Sequence, residues 1–317
     1  MSFSSFLELV EIRTKVASVI PFVLGSLYAL YRFNRFNTRN FILMLISLIA
    51  IDMATTAINN YYDYKRANRI QGYNYEIHNA IVKDKIQESK VMGLILSLVS
   101  IAITSGVMLF LNTNMIVLLL GAVSFTVGIF YSAGPIPISR TPLGELFSGI
   151  FMGFVIVFIS VYIHIYDQGI INLMYENGIL NISLDILEIF YIFLFSIPTI
   201  NSIANIMLAN NVCDIGDDIE NKRYTLPIYV GKENALKIFK MLYYFIFIDL
   251  IILVILKIAP IFSLGVIITL MPVNSNIRLF HNKQSKKDTF VLSVKNFMLI
   301  NGVHIILLGI AIIIGRN

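Results

Sequence analysis

Long apolar stretches alternate with short polar segments along the whole of this 317-residue chain. A helix needs about 20 mostly apolar residues to cross a bilayer, and nine stretches approach that length. No basic segment or small-residue cleavage site accompanies the first stretch, so we expect a retained helix rather than a signal peptide. The pattern predicts an all-α membrane protein, a bundle of about nine transmembrane helices, at residues 16–31, 41–58, 91–111, 114–131, 144–165, 189–212, 238–256, 259–277 and 297–315.

The composition agrees with this pattern. Hydrophobic residues make up 57% of the chain and charged residues only 14%, a balance that excludes a soluble domain of this length. We predict a single transmembrane domain over residues 1–317, with pseudo-repeat halves of roughly 1–140 and 141–317. The single cysteine, Cys213, excludes an internal disulfide and a cysteine-based metal site.

The net charge is +5, and the distribution of the basic residues along the chain matches a membrane topology. If the N-terminus is cytoplasmic, 19 of the 24 Lys and Arg residues fall in cytoplasmic segments. Because positive charge collects on the cytoplasmic side of membrane proteins, we predict a multi-pass protein of the cell membrane with a cytoplasmic N-terminus and an outer C-terminus. This distribution argues against a nucleic acid partner.

Two polar motifs interrupt the apolar pattern at the ends of predicted spans. Residues 59–63 and 210–214 both read Asn-Asn-x-x-Asp, and their final aspartates lie 151 residues apart. Such a repetition is typical of membrane bundles in which two halves build one site. If the helices continue through the motifs, Asn59 and Asp63 share one face, as do Asp214 and Asp218, because residues four apart are neighbours on a helix.

The polar residues that share a helical face in each motif form a column along the helix. These two columns offer the oxygen ligands that Mg²⁺ prefers. Mg²⁺ typically uses one or two carboxylates together with oxygens of a substrate diphosphate. The predicted metal ligands are Asn59, Asp63, Asp214 and Asp218. Basic residues follow both motifs and can neutralise phosphate oxygens, namely Lys65, Arg66, Lys222 and Arg223. Either aspartate column alone can also serve only to cap and solubilise a helix end.

The segment 131–145 holds three prolines and two glycines, which predict an ordered, non-helical cytoplasmic connection. Glu145 then begins the fifth span, where an acid can simply complement the helix dipole. Asp52 and Asp249 lie inside apolar spans, where a charge needs a partner or a cavity. Asp52 shares a helical face with the first motif, so we expect it to line the same cavity.

At these residues the chain resembles the UbiA superfamily of membrane prenyltransferases, and most of all its 1,4-dihydroxy-2-naphthoate polyprenyltransferases. Residues 13–15 with Pro21 and Gly25 are similar to the opening segment of that family. Residues 59–65 resemble its first Asp-rich motif, and residues 210–223 with 225–227 resemble the second. The most discriminating similarity to the naphthoate branch is carried by Tyr131, Gly134, Pro135 and the run Leu143-Gly144-Glu145-Leu146.

The resemblance implies nine helices around a central cavity, with both motifs under a cytoplasmic cap and a lateral opening for the prenyl chain. It also implies Mg²⁺ as cofactor and transfer of a polyprenyl group from polyprenyl diphosphate to 1,4-dihydroxy-2-naphthoate. Diphosphate and CO₂ would be released, giving demethylmenaquinone. The implied catalytic residues are Asp63, Asp214, Asp218 and Glu145. The implied substrate-binding residues are Lys15, Asn59, Asn60, Lys65, Arg66, Tyr131, Arg140, Asn210, Asn211, Lys222 and Arg223.

The chain departs from the family pattern in both motifs. Asn60 stands where the first motif usually has Asp, and a later acidic position falls on Ala67 or Arg69. The second motif has Cys213 where naphthoate enzymes often carry Arg, and Asn221 near the usual Gly. An amide can ligate through oxygen but brings no charge, so the number of bound Mg²⁺ ions stays open.

Three alternatives remain at this stage. The acceptor can be another aromatic or quinone precursor, or a haem. A transporter also has internal repeats and polar breaks, although its breaks are expected near the middle of spans. An inactive, lipid-binding relative is the third alternative, because the first motif has lost one acid.

Overall fold

The computed structural model describes residues 1–66, 79–132 and 137–315, and these are predominantly helical. Within these ranges, eight helices are long and apolar enough to cross a membrane, which confirms the predicted all-α membrane class. The fourth predicted span is a shorter apolar helix, Met115–Tyr131 within Met115–Ser132. At a rise of about 1.5 Å per residue it reaches about 27 Å, close to the thickness of a bilayer core.

The chain forms two compact units. The first unit consists of Met1–Val19 and Arg39–Pro137, and the second of Ile20–Thr38 and Ile138–Asn317. The predicted halves differ from these units in one segment, because residues 20–38 group with the second unit. Two helices, α2 (Val16–Phe33) and α3 (Thr38–Arg66), cross a unit boundary.

The described helices of the first unit besides α2 and α3 are α1 (Phe3–Leu9), a 3-10 turn (Ile12–Lys15), α4 (Ala80–Lys83), α5 (Glu88–Leu111) and α6 (Met115–Ser132). The core of this unit forms where α1 packs on α3, α4 and α5. Leu9 and Val10 lie against Ala57 and Ala54 of α3, respectively. The small alanine side chains let the short N-terminal helix lie close to the long membrane helix.

Besides residues 20–38, the second unit contains a 3-10 turn (Ile138–Arg140) and a helix in three parts, α7 (Gly144–Ser148), a π-helical segment (Gly149–Val155) and α8 (Ile156–Ile165). It continues with α9 (Ile186–Cys213), α10 (Ile215–Glu220), α11 (Leu226–Val230), α12 (Lys232–Ile255), a 3-10 segment (Ile261–Thr269), α13 (Leu270–Asn282) and α14 (Phe290–Ile314). The central helix is α9, which packs on the π-helical segment, α12 and α14.

Glycines set two close helix contacts in the second unit. A Cβ atom on Gly25 would lie 2.5 Å from the backbone oxygen of Val157, and one on Gly153 would lie 2.5 Å from the Cα of Ile200. Both distances are shorter than any tolerable contact, so only glycine permits these approaches. Small residues at helix crossings are typical of membrane bundles, where packing rather than water exclusion holds helices together.

Asparagine amides hold α9 to its neighbours within the apolar interior. Asn201 donates to the carbonyl oxygen of Leu242 at 3.2 Å, and Asn205 donates to that of Phe239 at 3.0 Å. Each such bond inside a membrane contributes roughly 0.6 kcal/mol. These bonds fix α9 against α12, and α9 carries the second Asn-Asn-x-x-Asp motif at its C-terminal end.

A β-hairpin that the hydropathy pattern did not predict joins α8 to α9. Its strands are β1 (Ile171–Glu176) and β2 (Ile179–Leu184), paired antiparallel. The turn residues Asn177 and Gly178 have φ values of 52° and 79°. Two consecutive positive φ angles are the signature of a type I′ turn, for which Asn-Gly is the preferred sequence.

Candidate active site

The first motif lies near the C-terminal end of α3, which continues without a break from Thr38 to Arg66. The predicted column therefore exists, since Asn59 and Asp63 are one helical turn apart on the same face. The side-chain amide of Asn59 donates to Oδ2 of Asp63 at 3.4 Å. An amide and a carboxylate of adjacent turns thus lie on one face of the helix.

Asn60 is engaged with the N-terminal segment of the first unit. It is buried, and its amide nitrogen donates to the carbonyl oxygen of Leu9 at 2.9 Å and to Oε1 of Glu11 at 3.3 Å. The carbonyl oxygen of Asn60 accepts a bond from the side chain of Asn79 at 2.9 Å. Both partners of the Asn60 amide are acceptors, so this position needs a donor, which an ionised aspartate cannot provide.

We expect Asn60→Asp, which restores the usual acid of the family, to lower stability rather than to raise activity. The new carboxylate would face the Leu9 carbonyl and the Glu11 carboxylate, and the cost is about 1–3 kcal/mol of unfolding free energy. Thermal unfolding in detergent measures it, with Asn181→Asp on exposed β2 as the matched control. An Asn60→Asp protein as stable as the control would show that the amide donor is dispensable.

Lys15 and Asp52 form an ion pair within the first unit. Nζ of Lys15 donates to Oδ1 of Asp52 at 2.7 Å, to its carbonyl oxygen at 3.1 Å and to Oγ1 of Thr56 at 2.7 Å. Ser18 donates to the second carboxylate oxygen at 2.6 Å. Pairing removes most of the cost of an acid inside a span. Lys15 has three N–H donors, and all three have protein partners here.

Lys65 and Arg66 follow the first motif. Nζ of Lys65 lies 2.7 Å from the carboxylate of Glu88, at the start of α5, and both side chains are partly exposed. An exposed pair of this kind contributes at most about 1 kcal/mol, so a phosphate can compete for the lysine. The side chain of Arg66 lies outside the described part of the chain, as do Ala67 and Arg69.

The second motif lies where α9 ends and α10 begins. Although Asp214 separates the two helices, the backbone bonds continue through it, from Asp214 N to Asn210 O at 3.1 Å and from Asp218 N to Asp214 O at 2.8 Å. Asn210, Asp214 and Asp218 therefore follow one another at helical spacing. The second predicted column also exists, despite the change of helix.

Asp214 has a cationic partner that the sequence did not reveal. Its Oδ2 accepts a hydrogen bond from Nζ of Lys286, in the loop between α13 and α14. Lys283 and Asp288 of that loop form an ion pair at 2.7 Å, which lowers the pKa of the Asp288 carboxyl. The loop therefore holds a positive charge at the carboxylate predicted to bind a metal ion.

Asp218 is the more deeply buried of the two acids, with 3% of the residue exposed. Its Oδ1 lies 3.2 Å from Nε of Arg223, and its Oδ2 accepts a bond from Thr225 at 3.1 Å. Burial raises the pKa of the Asp218 carboxyl, while Arg223 and Thr225 oppose that rise and Asp214 adds to it. Lys222, which lies beside this pair, is exposed and has a φ of 53°.

Glu145 lies in the same unit as the second motif and contacts it directly. The amide nitrogen of Asn211 donates to Oε1 of Glu145 at 2.8 Å, and both side chains are buried. Oε2 of Glu145 has no hydrogen-bond partner among the residues that the structure describes. A carboxylate with one oxygen held and the other unsatisfied is positioned to accept a proton or hydrogen bond from a ligand.

The connection between the fourth and fifth spans also reaches the second motif. The carbonyl oxygen of Arg140 accepts a bond from the backbone N–H of Tyr224, next to Arg223, at 3.1 Å. Tyr131 lies half-buried at the end of α6 in the first unit. Gly134 and Pro135, which carry part of the similarity to the naphthoate branch, lie outside the described residues.

The second unit thus brings together, at one end of α9, the predicted residues Arg140, Glu145, Asn210, Asn211, Asp214, Asp218, Lys222 and Arg223. Lys286 and Thr225 belong to the same group. Thr225 lies in the run that resembles the second motif, whereas Lys286 has no sequence signal beyond its place in a basic loop. No group of three or more His, Cys, Asp or Glu side chains gathers within residues 1–66, 79–132 and 137–315.

Comparison with known proteins supports the resemblance. The sequence model of the UbiA prenyltransferase family matches residues 18–302. The chain is 32% identical over 228 residues to the 1,4-dihydroxy-2-naphthoate octaprenyltransferase of Bacillus subtilis (strain 168), a match that covers 72% of this chain and 66% of that protein.

Two solved structures share the fold. A UbiA homolog from Aeropyrum pernix K1 has a TM-score of 0.67 at 18% identity, over 92% of this chain and 97% of that chain. A UbiA homolog from Archaeoglobus fulgidus, bound to DMAPP and Mg²⁺, has a TM-score of 0.65 at 15% identity, over 98% of this chain and 100% of that chain. At these identities the likeness is one of fold.

Proposed function

Since the chain belongs to the UbiA prenyltransferase family, we propose that it transfers a polyprenyl group from polyprenyl diphosphate to 1,4-dihydroxy-2-naphthoate. Diphosphate and CO₂ leave, and the immediate product is the hydroquinone form of demethylmenaquinone. The naphthoate as acceptor is supported by the B. subtilis relative, whose name gives that substrate. The observation that carries the proposal is the contact between buried Glu145 and Asn211, because it joins the segment similar to the naphthoate branch to the diphosphate motif.

The donor set of both motifs fits Mg²⁺. Carboxylate and amide oxygens are the ligands that this ion prefers, and one or two carboxylates suffice when a diphosphate supplies further oxygens. Asp214 already attracts a cation, the ammonium group of Lys286. We propose that Asp63, Asp214 and Asp218 hold Mg²⁺, with Asn59 as an additional oxygen ligand. When bound, Mg²⁺ neutralises diphosphate oxygens and so makes diphosphate a better leaving group.

The basic residues of the motifs complete the recognition of the donor. Lys65, Lys222 and Arg223 carry charges that bind phosphate oxygens. Arg223 forms an ion pair with Asp218, which keeps its positive charge beside the second motif. Lys286 has to leave Asp214 or share it when a metal ion binds. Its ammonium group can then pair with a diphosphate oxygen. Lys286 therefore places a positive charge near the motif both with and without a bound metal ion.

Glu145 is assigned to the acceptor. Its unsatisfied Oε2 accepts the proton of a ring hydroxyl, which raises the electron density of the ring carbon. That carbon forms the new bond to the allylic carbon of the donor as the bond to the diphosphate oxygen breaks. Because the new bond forms at the carbon that bears the carboxylate, that group then leaves as CO₂, its electron pair restores the aromatic ring, and the ring oxygen takes the proton back from Glu145. Asn211 holds the other oxygen of Glu145 and so acts as a positioning residue.

Turnover by the purified protein tests this function. The protein is incubated with Mg²⁺, labelled prenyl diphosphate and a panel of aromatic acceptors that includes the naphthoate and 4-hydroxybenzoate. We expect prenylated product with the naphthoate above all others, and none in excess EDTA. Greater activity on 4-hydroxybenzoate would overturn the acceptor, while turnover in excess EDTA would overturn the metal.

We further propose that the segments holding Lys65, Arg140, Lys222 and Lys283 are cytoplasmic, because most Lys and Arg residues fall on that side. The hairpin then lies on the outer side, since one span, α9, separates it from Asp214. Single cysteines at Asn282 and Asn181 in a Cys213→Ser background are labelled with a membrane-impermeant reagent on intact cells. We expect labelling of Asn181→Cys alone, and labelling of both positions would contradict this orientation.

A further inference from the structure

The hairpin between α8 and α9 has two chemically different faces. In an antiparallel pair, residues directly opposite each other lie on the same face of the sheet, and the faces alternate along each strand. The register pairs Ile171 with Leu184, Leu173 with Ile182, and Tyr175 with Leu180. These three pairs form one face, which is entirely apolar or aromatic.

The opposite face is mainly polar. Its residues are Asn172, Met174, Glu176, Ile179, Asn181 and Ser183. Four of these six are polar or charged, and the charged group is Glu176. The hairpin is thus an amphipathic two-stranded sheet. Its base is closed by a bond of 2.9 Å from the backbone N–H of Asp185 to the carbonyl oxygen of Ile170.

The apolar face is exposed for most of its length. Tyr175, Leu180 and Ile182 are 73%, 58% and 59% exposed. A lone two-stranded hairpin is at best marginally stable in water, and an exposed cluster of large apolar side chains marks a contact surface. The structure of the hairpin therefore requires an apolar environment on this face.

The position of the hairpin identifies that environment as lipid. α9, a candidate membrane span, begins at Ile186, one residue after the N-cap Asp185. Exposed apolar side chains continue from β2 into its first turns through Ile186, Leu187 and Phe190. Asp214 caps the other end of α9, about 42 Å away at a rise of about 1.5 Å per residue. We propose that the hairpin lies in the interface of the bilayer leaflet opposite the Asp214 motif, with its apolar face in lipid.

Two features favour lipid over a second copy of this chain. The apolar face of the hairpin has an area of roughly 200 Å². This value follows from two strands of six residues each, with a strand spacing of about 4.8 Å and a rise of about 3.3 Å per residue. A stable protein interface takes about 800 Å² from each partner. Tyr175, close to the turn, is also a residue type that is enriched where membranes meet water.

The binding is hydrophobic rather than electrostatic. Residues 166–188 contain Asp167, Glu176, Asp185 and Glu188 but neither Lys nor Arg. A segment with this negative charge is not attracted to anionic lipids. Zwitterionic lipid is therefore sufficient for its binding. The lipid contact would fix the hairpin and, through the short connection at Asp185, the start of α9.

The chain contains no tryptophan, which allows single-tryptophan reporters. Leu180→Trp on the apolar face is paired with Asn181→Trp on the polar face, and Ile182→Trp with Ser183→Trp as a second pair. Each full-length variant is reconstituted in phosphatidylcholine nanodiscs whose acyl chains carry bromine near the headgroup. Wild-type elution and circular dichroism establish that each variant is folded, and no prenyl transfer is required.

We expect brominated lipid to quench the apolar-face reporters about threefold more than their neighbours, as for an amphipathic element at the interface. Aqueous iodide should show the reverse order, and the brominated-lipid result should not change at high salt. Equal quenching of both faces by iodide would overturn the proposal, because the hairpin would stand in water. Apolar-face reporters shielded from both quenchers would also overturn it, because protein would cover that face.

Discussion

Replacing Asp214 by Asn removes Mg²⁺-dependent prenyl transfer, with a loss in kcat on the order of 10³-fold. We proposed Asp214 as a metal ligand at the end of α9, and the amide that replaces its carboxylate keeps an oxygen but loses the charge. The substitution also breaks the ion pair with Lys286, so the lysine loses the partner that positions it. Turnover of labelled prenyl diphosphate by the purified variant, at increasing Mg²⁺, measures the loss.

Asp217→Asn is the matched control. Asp217 lies on α10 between the two motif acids, is exposed, and undergoes the same change of charge. We expect wild-type turnover from this variant and a normal yield of folded protein from both. Full activity in Asp214→Asn, or equal losses in the two variants, would contradict a specific role for the Asp214 carboxylate.

Glu145→Gln lowers kcat with 1,4-dihydroxy-2-naphthoate by about 10²-fold, the scale of a lost general base. The glutamine still accepts the bond from Asn211 through its amide oxygen, so the local structure remains. Binding of prenyl diphosphate, measured without acceptor, should change less than about twofold, because the substitution leaves every motif carboxylate and cation in place. Donor binding and acceptor turnover are thereby separated.

Glu220→Gln supplies the control for charge, since Glu220 is exposed at the end of α10. Asn211→Ala tests positioning, because it frees Oε1 of Glu145 without removing the carboxylate. We expect this variant to lose part of kcat and to retain donor binding. Unchanged turnover in Glu145→Gln, with a small fall in melting temperature, would assign Glu145 to the helix dipole, worth about 0.3–1 kcal/mol.

Much of this architecture could be predicted from sequence because a membrane span is identified by the apolar composition of about 20 consecutive residues. The long apolar runs gave the positions of the helices, and the spacing of Asn59 to Asp63 gave one face. The fourth span, predicted at 114–131, is likewise found as the helix Met115–Ser132, although it is shorter than the eight described spans. The second motif was predicted on the condition that helicity continues, and the backbone bonds through Asp214 meet that condition.

Contacts between distant segments could not be predicted in the same way. Lys286 reaches Asp214 across 72 residues, and Lys15 reaches Asp52 across 37. The family resemblance implies that Asn60 binds substrate, whereas the structure shows its side-chain amide bound to Leu9 and Glu11. The role of such a residue depends on tertiary packing, which the motif alone does not encode.

The sequence contains a local turn signal for the hairpin that the hydropathy pattern does not show. Asn177-Gly178 is a strong hairpin sequence, and it lies between two alternating segments. Those segments lie between the predicted spans 144–165 and 189–212, and a search for long apolar runs does not test the alternation of their residues. The alternation of period two becomes informative only when it is separated from the helical runs on either side.

The central claim, prenyl transfer with loss of the ring carboxylate, is tested most directly by following that carboxylate. The purified protein receives Mg²⁺, a polyprenyl diphosphate and 1,4-dihydroxy-2-naphthoate with a ¹³C label in the carboxyl group. We predict labelled CO₂ and unlabelled prenylated product in equal amounts, with both absent in Asp214→Asn. A prenylated product that retains the label, or labelled CO₂ released without prenylated product, would contradict the proposed reaction.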